Sequence, residues 1–236
     1  MKTTAIITGG TKGLGREIAL ALARQGCFVV ALYAGDMSAA QEFDALLGES
    51  GLVGISLKHD ICSADPTLWS RPEIQKADQL VLVHNACAAF TPMPMHQLTW
   101  RDFENNFAVA VRGVWECSQP LIRLMIKKKT GVIVTVLSSA IEGAAPKGFA
   151  AYATAKHALR GFTLALAAEH APRGLKILSV SPGYMDTQLT RQWDERLRET
   201  ISSHADRITV PAVAASKIVA LIRDDRTPGL GENYPV

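Results

Sequence analysis

The sequence reads as an α/β fold, a doubly wound parallel sheet in a single domain spanning 1–236. Three observations carry that reading. Short apolar runs alternate with amphipathic stretches along the chain, the pattern of strands separated by helices. The first run passes into a helix through Gly9-Gly10-Thr11-Lys12-Gly13-Leu14-Gly15. Hydrophobic residues make up 48% and aromatic residues 6%, the balance of an Ala/Val/Leu-rich core, and no break in composition divides the chain.

The strand over 3–8 feeds the glycine turn and a helix carrying Ile18 and Leu22. Glycines at such a turn let backbone amides approach a diphosphate, and the helix start offers unpaired N–H groups and a positive dipole end. Thr8, Gly9, Thr11, Lys12, Gly13, Leu14 and Gly15 are therefore candidate dinucleotide contacts. The second strand, 27–33, ends at Tyr33, with no carboxylate until Asp36. An acid at that strand end selects the ribose 2′-hydroxyl of NAD. Its absence, and a Lys12 placed to meet a 2′-phosphate, point to NADP; a merely solvated Lys12 is the plain alternative.

A helix over 39–47 leads to a strand at 53–59 and then Asp60-Ile61, two further candidate cofactor contacts. Pro66 and Pro72 leave 61–77 as a short or broken helix. A strand at 79–83 ends in His84-Asn85-Ala86-Cys87, and a Pro- and Met-containing loop precedes a long helix over 101–128, interrupted only by Pro120.

The run Val132 to Ser139 reads as a buried parallel strand, and a hydroxyl at its carboxyl end lies where open α/β sheets bind ligands. Thirteen residues after Ser139 comes Tyr152, and four after that Lys156, on a helix reaching about His170. Residues four apart share a helix face. A fixed ammonium one turn away favours the phenolate and is expected to lower the tyrosine pKa from about 10. That pair suits a proton donor to a carbonyl or a base for an alcohol. A strand over 175–180 leads to Pro182-Gly183, a polar segment to 207, and a last helix after Pro211.

Other functions are excluded by composition. The formal charge is +3, with 25 basic and 22 acidic residues interspersed, which does not fit a nucleic-acid binder. Cys27, Cys62, Cys87 and Cys117 show no paired spacing and read as free thiols, and the six histidines have no metal-ligand spacing, so no metal is expected. With no charged-then-apolar leader and no apolar stretch of membrane-spanning length, the chain reads as cytoplasmic.

Together these residues resemble the short-chain dehydrogenase/reductase family, whose fold is Rossmann-type. Thr8, Gly9, Gly13 and Gly15 match its TGxxxGxG turn, Asn85-Ala86 the middle of NNAG, and Ser139, Tyr152 and Lys156 the catalytic trio. Pro182-Gly183 with Thr187 matches PGxxxT. The resemblance implies that Tyr152 donates the proton, Ser139 binds the carbonyl oxygen and Lys156 holds ribose hydroxyls. It also implies that Pro182, Gly183 and Thr187 hold the nicotinamide. In general look the chain is similar to 3-oxoacyl-carrier-protein reductases, with Lys128, Lys129 and Arg173 where that family receives its acidic carrier. A homodimer or homotetramer built on the two long helices is implied as well.

Three features depart from the pattern. Ala110 replaces an Asn of the proton relay, with Asn106 one turn earlier. Cys87 replaces the glycine of NNAG and His84 its first Asn, and the segment 229–236 lacks the usual glycine-rich strand ending. The loops at 88–96, 140–150 and 183–207 are expected to shape an apolar substrate pocket, with Ile141, Glu142, Tyr184 and Met185 as contacts. The expected activity is an NADPH-dependent reduction of a ketone, such as a 3-oxoacyl thioester, free or carrier-bound. An NAD-dependent alcohol dehydrogenase, and a non-catalytic nucleotide sensor suggested by Ala110 and Cys87, are the alternatives.

Overall fold

A computed structural model describes residues 2–63, 65–203, 205, 208–226, 228–229 and 232–236. The apolar runs form strands β1 (Thr3–Thr8), β2 (Phe28–Tyr33), β3 (Gly54–Lys58), β4 (Gln79–His84), β5 (Val132–Val136), β6 (Lys176–Ser181) and β7 (Asn233–Pro235). They hydrogen-bond in the order β3-β2-β1-β4-β5-β6-β7, every pair parallel. The order reverses between β1 and β4, which opens a crevice at the carboxyl ends of those two strands.

Helices cover both faces, so central strands such as β5 are buried throughout. On one face α1 (Gly13–Arg24), α2 (Met37–Glu49) and α9 (Pro211–Arg223) bring Ile18, Leu22, Phe43 and Ile218 against the sheet. On the other, α5 (Val114–Lys128) and α6 (Ala150–His170) bring Leu121, Met125 and Leu166. A third apolar cluster, containing Leu137, Ile141, Phe149, Tyr152 and Trp193, sits at the carboxyl end of the sheet beneath the crevice.

The segment 61–77 holds only a 3-10 turn, Thr67–Ser70, and α3 (Pro72–Gln75), as the two prolines suggested. The structure departs from the sequence expectation in the long helix, in the stretch after β6 and in the tail. The long helix is divided: α4 (Trp100–Phe107) and α5 are joined by a π-helical segment, Ala108–Gly113, whereas Pro120 lies inside α5 without ending it. The division occurs where the helix presses on the chain after β3, since a Cβ on Gly113 would lie 2.7 Å from the Ile61 side chain. A π turn absorbs an extra residue at such a contact.

The stretch after β6, expected to be merely polar, contains α7 (Gln188–Arg191) and α8 (Glu195–Ser203). Arg207, at the end of that stretch, lies outside the described residues, as do Leu230 and Gly231 of the tail. The tail nevertheless ends in a strand, β7, a short edge strand beside β6 whose Pro235 suits an edge position. Among the described residues no helix is long and apolar enough to cross a membrane.

Candidate active site

The glycine turn is shaped by what surrounds it. Gly13 has φ +54°, a left-handed conformation costly to any residue with a Cβ. A Cβ on Gly15 would come within 2.1 Å of the Gly9 carbonyl oxygen and 2.5 Å of Asn85 Nδ2. That closeness lets Asn85 bind the turn: its amide donates to the carbonyls of Thr8 (3.0 Å) and Gly9 (3.2 Å). In return the Thr8 hydroxyl accepts the backbone N–H groups of Asn85 and Ala86, each at 3.0 Å. Thr8 and Gly15 are thus one layer behind the cleft, tying β1 to the end of β4.

The cleft itself encloses about 1000 Å³. Gly9, Thr11, Lys12, Gly13, Leu14, Tyr33, Asp60, Ile61, Asn85 and Ala86 line one end, and Pro182, Gly183 and Thr187 the far wall. No side chain caps the start of α1, so its first-turn N–H groups remain for an anion. The residues present fit a dinucleotide.

Its ribose end holds an ion pair. Lys12 Nζ lies 2.9 Å from Asp36, with each side chain a little over two-fifths exposed. Asp36 also caps α2, and the Lys12 hydrogen bond is the main cause that holds its carboxyl below the usual range. An acid therefore does reach the end of β2, from three residues beyond it. His59, buried against Trp69, lines the same end, and no motif in the sequence marked it.

At the other end α6 buries both Tyr152 and Lys156. Lys156 Nζ donates to the Val136 carbonyl at 2.7 Å and stands 5.8 Å from the centre of the Tyr152 ring. Ser138 and Ser139 both line the cleft with Tyr152, and Ser138 is the one whose hydrogen bonding bears on the Tyr152 phenol. Ser138 is extended (φ −168°, ψ 147°) and continues the line of β5, whereas Ser139 opens a 3-10 turn and donates its N–H to the Pro182 carbonyl at 2.9 Å. The Ser139 hydroxyl also borders the cleft but makes no hydrogen bond among the described residues. Counting back from Tyr152 pointed to Ser139; the one signal for Ser138 is its adjacency.

Burial reverses the tyrosine expectation. It pushes the Tyr152 phenol above its ordinary value; Cys87 adds to the rise, and the Ser138 hydrogen bond opposes it. Burial likewise pushes the Lys156 ammonium down. Both groups lose water at the sheet's end, and desolvation disfavours whichever form is charged.

Of the expected substrate contacts, Tyr184 and Met185 line the cleft. Ile141 is instead packed into the cluster beneath, and Glu142 accepts a 3.4 Å hydrogen bond from Asn233 of β7. The 3-10 turn at Ser139–Ile141 swings both off the cleft wall. Phe90, which the sequence did not single out, lies flat on Tyr152. Cys87 borders the cleft, its thiol pushed up by burial with Lys156 opposing. His84 is turned into the protein, 2.9 Å from Ser118 Oγ, and burial lowers its pKa to about 3, so it stays neutral. Ala110 is buried in the π segment, and Asn106 donates to the Asp102 carbonyl at 2.9 Å.

This geometry has counterparts among known proteins. The family profile described as short chain dehydrogenase matches residues 3–198. The chain belongs to that family. It is accordingly an oxidoreductase. It is 31% identical over 201 residues to a 3-oxoacyl-[acyl-carrier-protein] reductase, FabG, of Pseudomonas aeruginosa, covering 84% of this chain and 79% of that one. An acetoacetyl-CoA reductase of Allochromatium vinosum is 29% identical over 100% of this chain and 97% of its own. Among solved structures, a putative NAD(P)-dependent gluconate 5-dehydrogenase of Beutenbergia cavernae with bound NADP superposes with a TM-score of 0.84 at 27% identity, covering 99% of this chain and 94% of that one.

The raised phenol is directly measurable. A tyrosine of ordinary pKa, about 10, is half ionised at pH 10. The ultraviolet difference spectrum between wild type and Tyr152→Phe at pH 10 is expected to show no phenolate band. A band of the size of half a tyrosine would show that burial does not dominate.

Proposed function

We propose that this oxidoreductase is an NADPH-dependent carbonyl reductase acting on a ketone. The observation that carries the reading is a buried Tyr152 on the cleft wall, its phenol pushed up by burial, one turn from a Lys156 bonded to the Val136 carbonyl. Hydride is the chemistry a bound nicotinamide supplies. The chain's own part is to hold the carbonyl oxygen between two hydroxyls and give it the Tyr152 proton as negative charge develops there. The phenolate left behind is then favoured by the Lys156 ammonium, whose attraction is little diluted in so dry a site. Asn85, the turn glycines, the start of α1 and Thr187 would hold the dinucleotide.

Ser138 is the serine this reading favours for the carbonyl oxygen, in place of Ser139. Its hydrogen bonding bears on the proton donor and its extended backbone continues β5, whereas Ser139 enters the 3-10 turn that the Ser138 hydroxyl caps through the Ala140 N–H.

The preference for NADPH rests on magnitudes. An exposed ion pair such as Lys12–Asp36 is worth about 0–1 kcal/mol, whereas a charge-assisted bond to a phosphate is worth about 1.5–3 kcal/mol. Lys12 therefore gains by leaving Asp36 for a 2′-phosphate. Asp36 supports a second reading, NAD-dependent alcohol oxidation, because its carboxylate could accept a ribose hydroxyl and repel the phosphate.

The names of the relatives favour a 3-oxoacyl thioester or similar ketone as substrate, and an apolar chamber suits one. Docking of a carrier protein at Lys128, Lys129 and Arg173 is less direct. Those residues lie where α5 and α6 end, at the amino edge of the sheet. The cleft is at the other edge, across a strand of five residues or about 17 Å. A carrier held there would serve a neighbouring subunit's cleft. Trp115 and Leu164, exposed on α5 and α6, support pairing of these helices in a homodimer or homotetramer.

Tyr152→Phe is expected to lower ketone reduction by about 10²–10⁴-fold with NADPH binding intact. Ser138→Ala should cost about 10²–10³-fold, and Ser139→Ala only a few-fold. The opposite order of the two serines would return the role to Ser139.

For the cofactor, Lys12→Ala should weaken NADPH binding by about tenfold or more and leave NADH unchanged. Asp36→Asn should strengthen NADPH relative to NADH. Fluorescence titration of both cofactors reads this, and equal losses for both in Lys12→Ala would remove it from 2′-phosphate recognition.

Light scattering at micromolar concentration should give a dimeric or tetrameric mass, and a monomeric mass would overturn the helix pairing.

A further inference from the structure

Phe90 is held at the proton donor by contacts from α6 and from two separate loops. Its ring stacks on Tyr152 with centres 4.5 Å apart and planes 14° from parallel. Phe149 meets it edge-on at 5.2 Å and Trp193 at 5.3 Å. The Trp193 indole N–H donates to the Phe90 carbonyl at 2.6 Å, which fixes the backbone as well as the ring. Offset and edge-to-face aromatic pairs are each worth about 0.5–1.5 kcal/mol beyond the area they bury.

A second cavity, of about 250 Å³, lies on the far side of this cluster. Its walls include Met93 and Leu98 on one side and Asp102, Asn105 and Asn106 of α4 on another. Phe90 and Tyr152 belong to the walls of both the cleft and this cavity. Phe90 is therefore part of the partition between them, and it lies directly against the ring whose hydroxyl gives up the proton. It is also only half-buried, so its place is kept by the clasp of Trp193 and Phe149, not by general packing.

We infer that Phe90 is a specificity-determining gate: its ring, clasped by Trp193, closes the side cavity and confines the smaller arm of the carbonyl substrate beside Tyr152. The inference rests on the carbonyl-reductase reading for its substrate. With the ring in place, one arm of a ketone has the main cleft and the other has only the gap between Phe90 and the cofactor side. With the ring removed, the second arm gains the space of the side cavity.

The test compares aryl ketones that differ only in the second arm, acetophenone against butyrophenone, in wild type, Phe90→Ala, Phe90→Leu and Trp193→Phe. The last keeps an aromatic ring and removes the indole donor. One methylene in an apolar pocket shifts selectivity by about tenfold or more. The ratio of kcat/KM for butyrophenone over acetophenone is therefore expected to rise more than about threefold in Phe90→Ala and Phe90→Leu, and to rise in the same direction in Trp193→Phe. A general loss of packing would lower both substrates together and leave the ratio alone.

Calorimetric binding of the two ketones to the NADP-loaded proteins gives the same ratio without turnover. If no ketone is turned over by any of the proteins, the reductase reading fails while binding still decides the gate. A binding or kcat/KM ratio within about threefold of wild type in both Phe90 variants, or no ketone binding to any of them, overturns it.

Discussion

The hydrogen bond from Lys156 to the Val136 carbonyl is the constraint on which the rest of the site depends. A buried ammonium without partners is prohibitively costly, so Lys156 must find an acceptor inside the protein. The acceptor is the last carbonyl of β5, which locks the start of α6 against the end of that strand. Tyr152, one turn earlier on α6, is thereby brought to the level of Ser138, an extended residue two past the end of the strand. The same placement strips water from both side chains. That burial holds the phenol protonated and works against the ammonium, which the Val136 carbonyl holds in place beside it.

The two ends of the cleft are built by different means. At the glycine turn the sheet does the work directly: β1 and β4 run side by side, and Thr8 and Asn85 exchange hydrogen bonds across their ends. The substrate end has no such ladder. There three loops converge, and aromatic contacts around Phe90 take the place of backbone pairing.

That difference explains what could be read from the sequence. Strand and helix periodicity and the local chemistry of Gly13, Gly15, Tyr152 and Lys156 are properties of neighbouring residues, and they were legible. The partner of Tyr152 was not. Ser138 and Ser139 are chemically identical, and the choice rests on a backbone that stays extended at one and turns at the next. The Phe90 stack joins side chains 62 positions apart, and the Trp193 hydrogen bond spans 103, distances at which no spacing rule operates. The direction of the Tyr152 shift needed a degree of burial that sequence does not state. Asp36 was visible, but its reach back to Lys12 across the mouth of the turn was not.

The π segment at Ala108–Gly113 has a consequence for how much the surrounding helices tolerate change in length. A π turn carries one more residue than the α-helical turn it replaces, and each residue of an α-helix advances by about 100°. Deleting a single residue there would let α4 and α5 join as one regular helix. Straightening the segment into α-helix with all its residues kept would instead rotate α5 by about 100° against the sheet, carrying Cys117, Leu121 and Met125 off their buried face. The segment is thus a phase adjuster, which sets the α4 side for the substrate end and the α5 side for the core. Loss of its extra residue leaves the α5 face in place, whereas loss of a residue within α5 would turn that face away.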